Sequence, residues 1–347
     1  MTVNKADLQT KLNHAQEAEN SDDFFRAGLL YRDTLGEAIK QSNSEIIKLC
    51  KNKSVEMNKK SIASGKDFKK FSFTQELSED MAKAHEEFIS KFLSQGDLKT
   101  ILRAIGRHPF FFPRVKDVQQ TANNTMPVSY QIVDLSAISS GGHTLRGGSD
   151  GIYAWFMEMY NMRQQLIMVS YVGRIIYELM ENKLNGIILN IKELSEYFSE
   201  SGIFDEQNLK IILVGLQKYF DRDYISALHI LVPQFENVFL KISERLGIDV
   251  VALDQKQGLA TRTKTLSENH LDSPEFKKVW GEDFCRQIKF ALFEQMGYKI
   301  RHKVAHGEIE PTECNFENNT LVLYFYLVLL SRVHVGMRGD KIINGNK

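Results

Sequence analysis

Arg301 and His306 stand five residues apart in the stretch Tyr298-Lys299-Ile300-Arg301-His302-Lys303-Val304-Ala305-His306-Gly307, with His302 directly after the arginine. A guanidinium is permanently charged and offers a phosphate two donors at once. An imidazole titrating near neutrality can move a proton. Together these groups suit cleavage of RNA without metal. His306 would take the proton of the ribose 2′-hydroxyl or return one to the leaving oxygen, while Arg301 stabilises charge on the phosphorane. DNA lacks that hydroxyl, so RNA is the expected substrate. Between Arg286 and His306 the sequence holds five basic side chains (Arg286, Lys289, Lys299, Arg301, Lys303) against the single acid Glu294. Lys299 and Lys303 flank the motif and are candidate substrate-binding groups.

Other chemistries fare less well. His302 and His306 are four apart and would share a helix face, and Glu308 or Glu310 could add a carboxylate. Position 303 is lysine, so the H-E-x-x-H order is absent and a cation would be repelled. No metal and no cofactor are expected. The glycine-rich run from Gly141 to Gly148 is not followed by G-K-[ST], which makes it a turn rather than a phosphate loop. Phe110 to Phe112 reads as core more readily than as a base-stacking platform.

The elements that must position the motif belong to a chain of 347 residues, long enough for two domains. Hydrophobic residues make up 43% and charged residues 25%, which excludes a disordered or fibrous chain. Lysine and arginine number 44, as do aspartate and glutamate, which excludes a globally basic nucleic-acid coat. Cys50, Cys285 and Cys314 are scattered, with no C-x-x-C pair, so neither a disulfide framework nor a zinc ribbon is indicated. The first 20 residues carry no apolar signal-peptide core, and the longest apolar run, Leu321 to Leu330, is ten residues. A cytoplasmic protein without a membrane partner is expected.

Hydrophobic spacing predicts a mostly α protein. Leu8 and Leu12, then Phe25, Leu29 and Leu30, then Leu35 and Ile39 mark helices broken at Asn20-Ser21-Asp22-Asp23. Residues 51–74 read as a Lys- and Ser-rich connection, and residues 75–94 as another helix. Residues 1–94 are thus expected to form an N-terminal helical domain. Residues 95–151 read as an irregular segment with short strands, through a weak alternation over 128–138 and the glycine clusters near 141 and 148. Residues 152–347 return to helices, at 152–181, 205–219, 224–246, 282–296 and 320–334. Ser273-Pro274 marks one further helix start.

The sequence Arg301-His302-Lys303-Val304-Ala305-His306-Gly307, set between two hydrophobic helices, resembles the R-x4-6-H signature of the HEPN superfamily (higher eukaryotes and prokaryotes nucleotide-binding). Leu231-Val232-Pro233-Gln234-Phe235-Glu236 looks like the family's earlier helix, and the resemblance covers roughly residues 205–340. More narrowly, it is similar to an uncharacterised bacterial group associated with phage defence. The resemblance implies an antiparallel C-terminal bundle that commonly dimerises, placing two motifs in one shared cleft. It also implies a metal-independent endoribonuclease, often a toxin or abortive-infection effector, that a sensor or antitoxin protein accompanies. Arg301 and His306 carry over as catalytic residues, His302 as the polar neighbour, and Glu236 as an auxiliary residue orienting a basic partner. The competing reading is a non-catalytic HEPN-like scaffold that binds a nucleotide or a partner protein. An enzyme would place Arg301 and His306 side by side in an open basic cleft. A scaffold would bury one of them or pair Arg301 fully with Glu236 or another carboxylate.

Overall fold

The computed structural model describes residues 5–66, 78–128, 130, 137–138, 141–146, 151–181, 186–254 and 260–344, and these are mostly helical. The chain forms two compact units, one of residues 1–76 with 128–151 and one of residues 77–127 with 152–347. The units divide at 151/152, as the sequence reading has it, and otherwise at 76/77 and 127/128 rather than at 94/95.

The first unit holds α1 (Lys5–Asn20), α2 (Phe24–Lys40) and α3 (Ser44–Ser64). Asp23 and Asn43 cap α2 and α3, each side chain accepting a backbone N–H three residues on. Residues 51–64 are helical rather than a connection. Cys50, Ser54, Met57 and Ser61 recur at three- to four-residue steps and are buried, so the lysines between them occupy only the outer face. The core joins Leu12, Ala15, Ala27, Tyr31, Cys50 and Met57. Glu19 links the helices by accepting from the Tyr31 hydroxyl and the Lys53 ammonium, each at 2.6 Å. Of the expected strand pair, residues 131–136 lie outside the described residues, as does the glycine cluster at 147–150. The remaining end, β1 (Ala137–Ile138), pairs antiparallel with β2 (Thr144–Arg146). The Asn58 amide donates to the Gly142 carbonyl at 2.8 Å, which fixes this hairpin to α3 across 84 residues of sequence.

The second unit begins with α4 (Glu79–Leu93), α5 (Leu98–Arg107), a 3₁₀ turn (Pro109–Phe111) and α6 (Val115–Thr125). Residues 95–127 are therefore largely helical, where the sequence suggested an irregular segment. The three phenylalanines are packing groups. Phe88 and Phe92 of α4 meet Phe110 and Phe111 with ring centroids 5.4 and 5.3 Å apart. Next come α7 (Gly151–Gln165), a π-helical stretch (Leu166–Gly173) and α8 (Arg174–Met180), then α9 (Ile191–Glu200) and α10 (Glu206–Phe220). The centre consists of α11 (Tyr224–Arg245) and the last helix, α16 (Phe316–Asn344). Phe235 stacks on Phe239 at 5.7 Å and meets Phe325 at 5.5 Å, and the Tyr326 hydroxyl donates to the Leu231 carbonyl at 2.8 Å.

Between these helices in sequence come β3 (Val251–Asp254) and β4 (Ala260–Thr263), an antiparallel pair that the sequence reading did not assign. After them come α12 (Glu268–Asp272), α13 (Pro274–Trp280), α14 (Glu282–Leu292) and the short α15 (Ile300–His306). Ser273 caps α13 with Pro274 in its first turn, as the sequence signals. The Trp280 indole donates to Ser243 Oγ at 2.9 Å and ties α13 to α11. Among the described residues no helix is long and apolar enough to cross a membrane.

His108 supplies a test of this packing. Its ring sits among Phe88, Phe92, Phe110 and Phe111, and burial pushes its pKa below the usual value. The folded state therefore disfavours the imidazolium, whereas the unfolded chain takes up a proton near pH ~6.5. This contribution to stability is present above that pH and is lost as pH falls through the lower folded value. Burial lowers the pKa of His270 and His302 in the same direction. The melting temperature should fall between pH 7 and pH 5, and His108→Asn, which keeps an acceptor for the Phe110 N–H, should flatten that fall. An unchanged slope in the variant would show that His108 does not contribute to it.

Candidate functional site

The seven residues of α15 carry the motif. The helix starts after Lys299, which adopts a left-handed conformation (φ 55°), and stops at Gly307 (φ 67°), where the missing Cβ makes that conformation easy. Ile300 is buried and Val304 packs on the core, so this side of α15 faces inward. At about 100° per residue the remaining side chains diverge: His302 lies ~100°, His306 ~140° and Lys303 ~200° around from Arg301. Arg301 and His306 thus do not share one line along the helix, and Lys303 faces away from Arg301.

Glu236 of α11 fixes the arginine. Its Oε2 accepts from Arg301 Nε at 2.9 Å, and its Oε1 accepts from the Leu266 backbone N–H at 2.9 Å. The Glu236 side chain is 14% exposed and that of Arg301 26%, so the pair is partly withdrawn from water. Only Nε is engaged. Among the described residues the two terminal nitrogens of Arg301 make no hydrogen bond, so the face suited to a phosphate is not used up by Glu236.

Beside this pair lies a cleft of about 600 Å³ whose lining includes Lys299, Arg301 and His302 from one stretch of chain and Ser267, Glu268 and Asn269 from another. His302 is the one histidine among its lining residues. Burial, and then the positive charge of Lys299, lowers the His302 pKa, with His306 and Arg301 adding to the effect and Glu308 opposing it. A neutral imidazole at pH 7 can accept a proton. The His302 and His306 rings lie 4.3 Å apart at 47°, and His302 Nε2 is 3.7 Å from Glu308 Oε2. His306 is exposed and does not line the cleft.

The structure brings Arg301, His302, Lys299 and Glu236 together and joins His306 to them only through His302. Lys303 does not belong with the others as a substrate-binding group. Its ammonium pairs with Glu313, and it lines a different cavity on the opposite side of α15.

The basic surplus counted along the sequence also changes in three dimensions. Arg286 lies 3.6 Å from Glu294, Lys289 lies 2.6 Å from Asp272, Arg301 pairs with Glu236 and Lys303 with Glu313. Of the five cations, Lys299 alone has no ion pair among the described residues. Glu294 was already in that count, but Asp272, Glu236 and Glu313 lie outside the stretch, so a local count could not see them. The lining from Ser267, Glu268 and Asn269 was equally hidden, because a polar stretch carries no periodic signal. Among the described residues no group of three or more His, Cys, Asp or Glu side chains is arranged to hold a metal ion. No family model, curated protein or solved structure matches the chain.

Proposed function

We propose that the C-terminal part of the chain is a HEPN-type bundle and that the protein cleaves RNA without metal, as a toxin or abortive-infection effector in phage defence. One observation carries the reading: Arg301, held through Nε alone, keeps both terminal nitrogens unbonded beside His302 at a cleft. In this mechanism Arg301 and Lys299 bind the scissile phosphate. His302 takes the proton of the 2′-hydroxyl as that oxygen attacks phosphorus. The bond to the 5′-oxygen breaks, a protonated histidine returns a proton to that leaving oxygen, and the products are a 2′,3′-cyclic phosphate and a free 5′-hydroxyl. His306, whose ring lies 4.3 Å from that of His302, is the nearest second imidazole. It is also the exposed one, available to a second copy of the chain in a shared cleft.

A second reading, a non-catalytic scaffold for a nucleotide or a partner protein, draws on a different observation. Arg301 is paired with Glu236, and four of the five nearby cations are neutralised. The two readings separate on single-stranded RNA incubated with purified protein in EDTA. The ribonuclease reading expects cleavage with cyclic phosphate ends and none of 2′-O-methylated RNA. His302→Ala and His306→Ala should each slow cleavage by about 10²-fold. Binding without cleavage, weakened by Lys299→Ala, is the result expected of the scaffold. Cleavage that survives both histidine substitutions would overturn the site assignment.

A further inference from the structure

A second cavity of about 400 Å³ lies on the other side of α15, and neither reading of the motif uses it. We propose that it binds an uncharged, unphosphorylated nucleoside or nucleobase. Its volume falls within the ~300–1,000 Å³ typical of small-molecule sites. The argument for the ligand class is one of charge, polarity and shape.

Charge excludes a phosphate. Lys303 lines the cavity, but Glu313 neutralises it, and Glu317, which has no ion pair among the described residues, adds a further negative charge. The lining carboxylates outnumber the cations, which repels an anionic group. The cleft of Arg301 and Lys299 has the opposite character.

Polarity and shape favour a flat heterocycle. Met168 and Leu321 provide a buried apolar floor, and Val169 adds an apolar wall that is 52% exposed. Tyr298, whose ring meets Phe290 edge-on at 5.1 Å, lines the same space and adds an aromatic group to these apolar side chains. Three polar groups there keep hydrogen-bonding capacity. The Tyr298 hydroxyl and the Gln165 amide make no side-chain hydrogen bond among the described residues. Asn318 donates through Nδ2 to the Glu313 carbonyl at 2.7 Å, which leaves its Oδ1 as an acceptor. Burial holds the Tyr298 phenol well above its usual pKa, so it stays a donor. A hydroxyl, an amide and an acceptor around an apolar slot match the mixed edge of a base. Met168 and Val169 belong to the π-helical stretch Leu166–Gly173, a form of turn found frequently at functional sites.

The test is calorimetric titration of the full chain with adenosine, guanosine, cytidine and uridine, each alongside its 5′-monophosphate. At least one nucleoside should bind with a Kd below ~1 mM and about tenfold more tightly than its monophosphate. At tenfold its Kd it should raise the melting temperature by about 3 °C. Val169→Trp fills the cavity from an exposed position, so its melting temperature without ligand should stay near wild type while affinity falls about tenfold. Lys299→Ala, in the other cleft, should leave nucleoside affinity unchanged. The proposal is overturned if no nucleoside binds at ~1 mM, if the monophosphates bind more tightly, or if Lys299→Ala removes binding that Val169→Trp spares.

Discussion

Arg301→Ala is expected to slow RNA cleavage by about 10²–10³-fold, the usual cost of removing a donor aimed at developing transition-state charge. Arg301→Lys should do little better. A lysine has one ammonium, and Glu236, held at 2.9 Å from the native Nε, would claim it. The guanidinium can give Nε to Glu236 and still keep two nitrogens for phosphate, which is a property of its fork geometry rather than of its charge. Glu236→Gln tests the other half of that statement. The amide keeps an acceptor but has no charge to hold the guanidinium, so cleavage should fall by about tenfold, less than with Arg301→Ala. Single-turnover rates in EDTA, with RNA affinity measured on the same variants, separate binding from chemistry. Arg301→Ala within threefold of wild type would remove the arginine from the mechanism. Glu236→Gln as inactive as Arg301→Ala would mean that orientation of the guanidinium carries the whole effect.

What the sequence made legible follows physical range. Helices whose buried residues recur every three or four positions announced themselves, as with Leu228, Leu231, Phe235 and Phe239 of α11. Helix starts were equally local, since Ser273 and Pro274 need only their own first turn to act. The α15 motif was visible for the same reason, whereas Glu236 as a group that orients a basic partner came only from the resemblance, because its contact with Arg301 spans 65 residues. Failures of the local reading are long-range. Lysines in α3 masked a buried stripe, so a helix looked like a connection. The Asn58–Gly142 bond makes residues 128–151 part of the unit begun by residues 1–76, and no local pattern reports it. Within the site, Lys303 looked like a phosphate ligand until Glu313, ten residues on, engaged it. The helical angle between Arg301 and His306 was available from spacing alone. That His302, rather than His306, lines the arginine's cleft was not, since ~100° and ~140° set both well apart from Arg301.

Gly106→Ala should destabilise the second unit by about 2 kcal/mol, although alanine is ordinarily the better helix residue. Gly106 lies near the end of α5, and a Cβ there would overlap the Leu327 carbonyl oxygen and Ser331 Oγ of α16. Neither neighbour can step aside. Ser331 Oγ donates to the Leu327 and Val328 carbonyls at 2.8 and 3.0 Å, and Arg107 of α5 donates through Nε and Nη2 to the Ser331 carbonyl at 3.1 and 2.8 Å. Residues Leu321–Leu330 are buried, so α16 has no free side toward which to shift. Forcing the helices apart costs about 3 kcal/mol as overpacking, and helix propensity returns about 1 kcal/mol. At about 2–4 °C per kcal/mol for a unit of this size, the melting temperature should drop by about 4–8 °C. Gly36→Ala is the counterpart. Gly36 is inside α2 with nothing within 4 Å of the new Cβ, so the same substitution should stabilise the first unit by up to ~1 kcal/mol. Opposite signs at the two glycines would tie the α5–α16 approach to its backbone contact. A Gly106→Ala protein as stable as wild type would show that these helices do not meet as closely as the Leu327 and Ser331 contacts require.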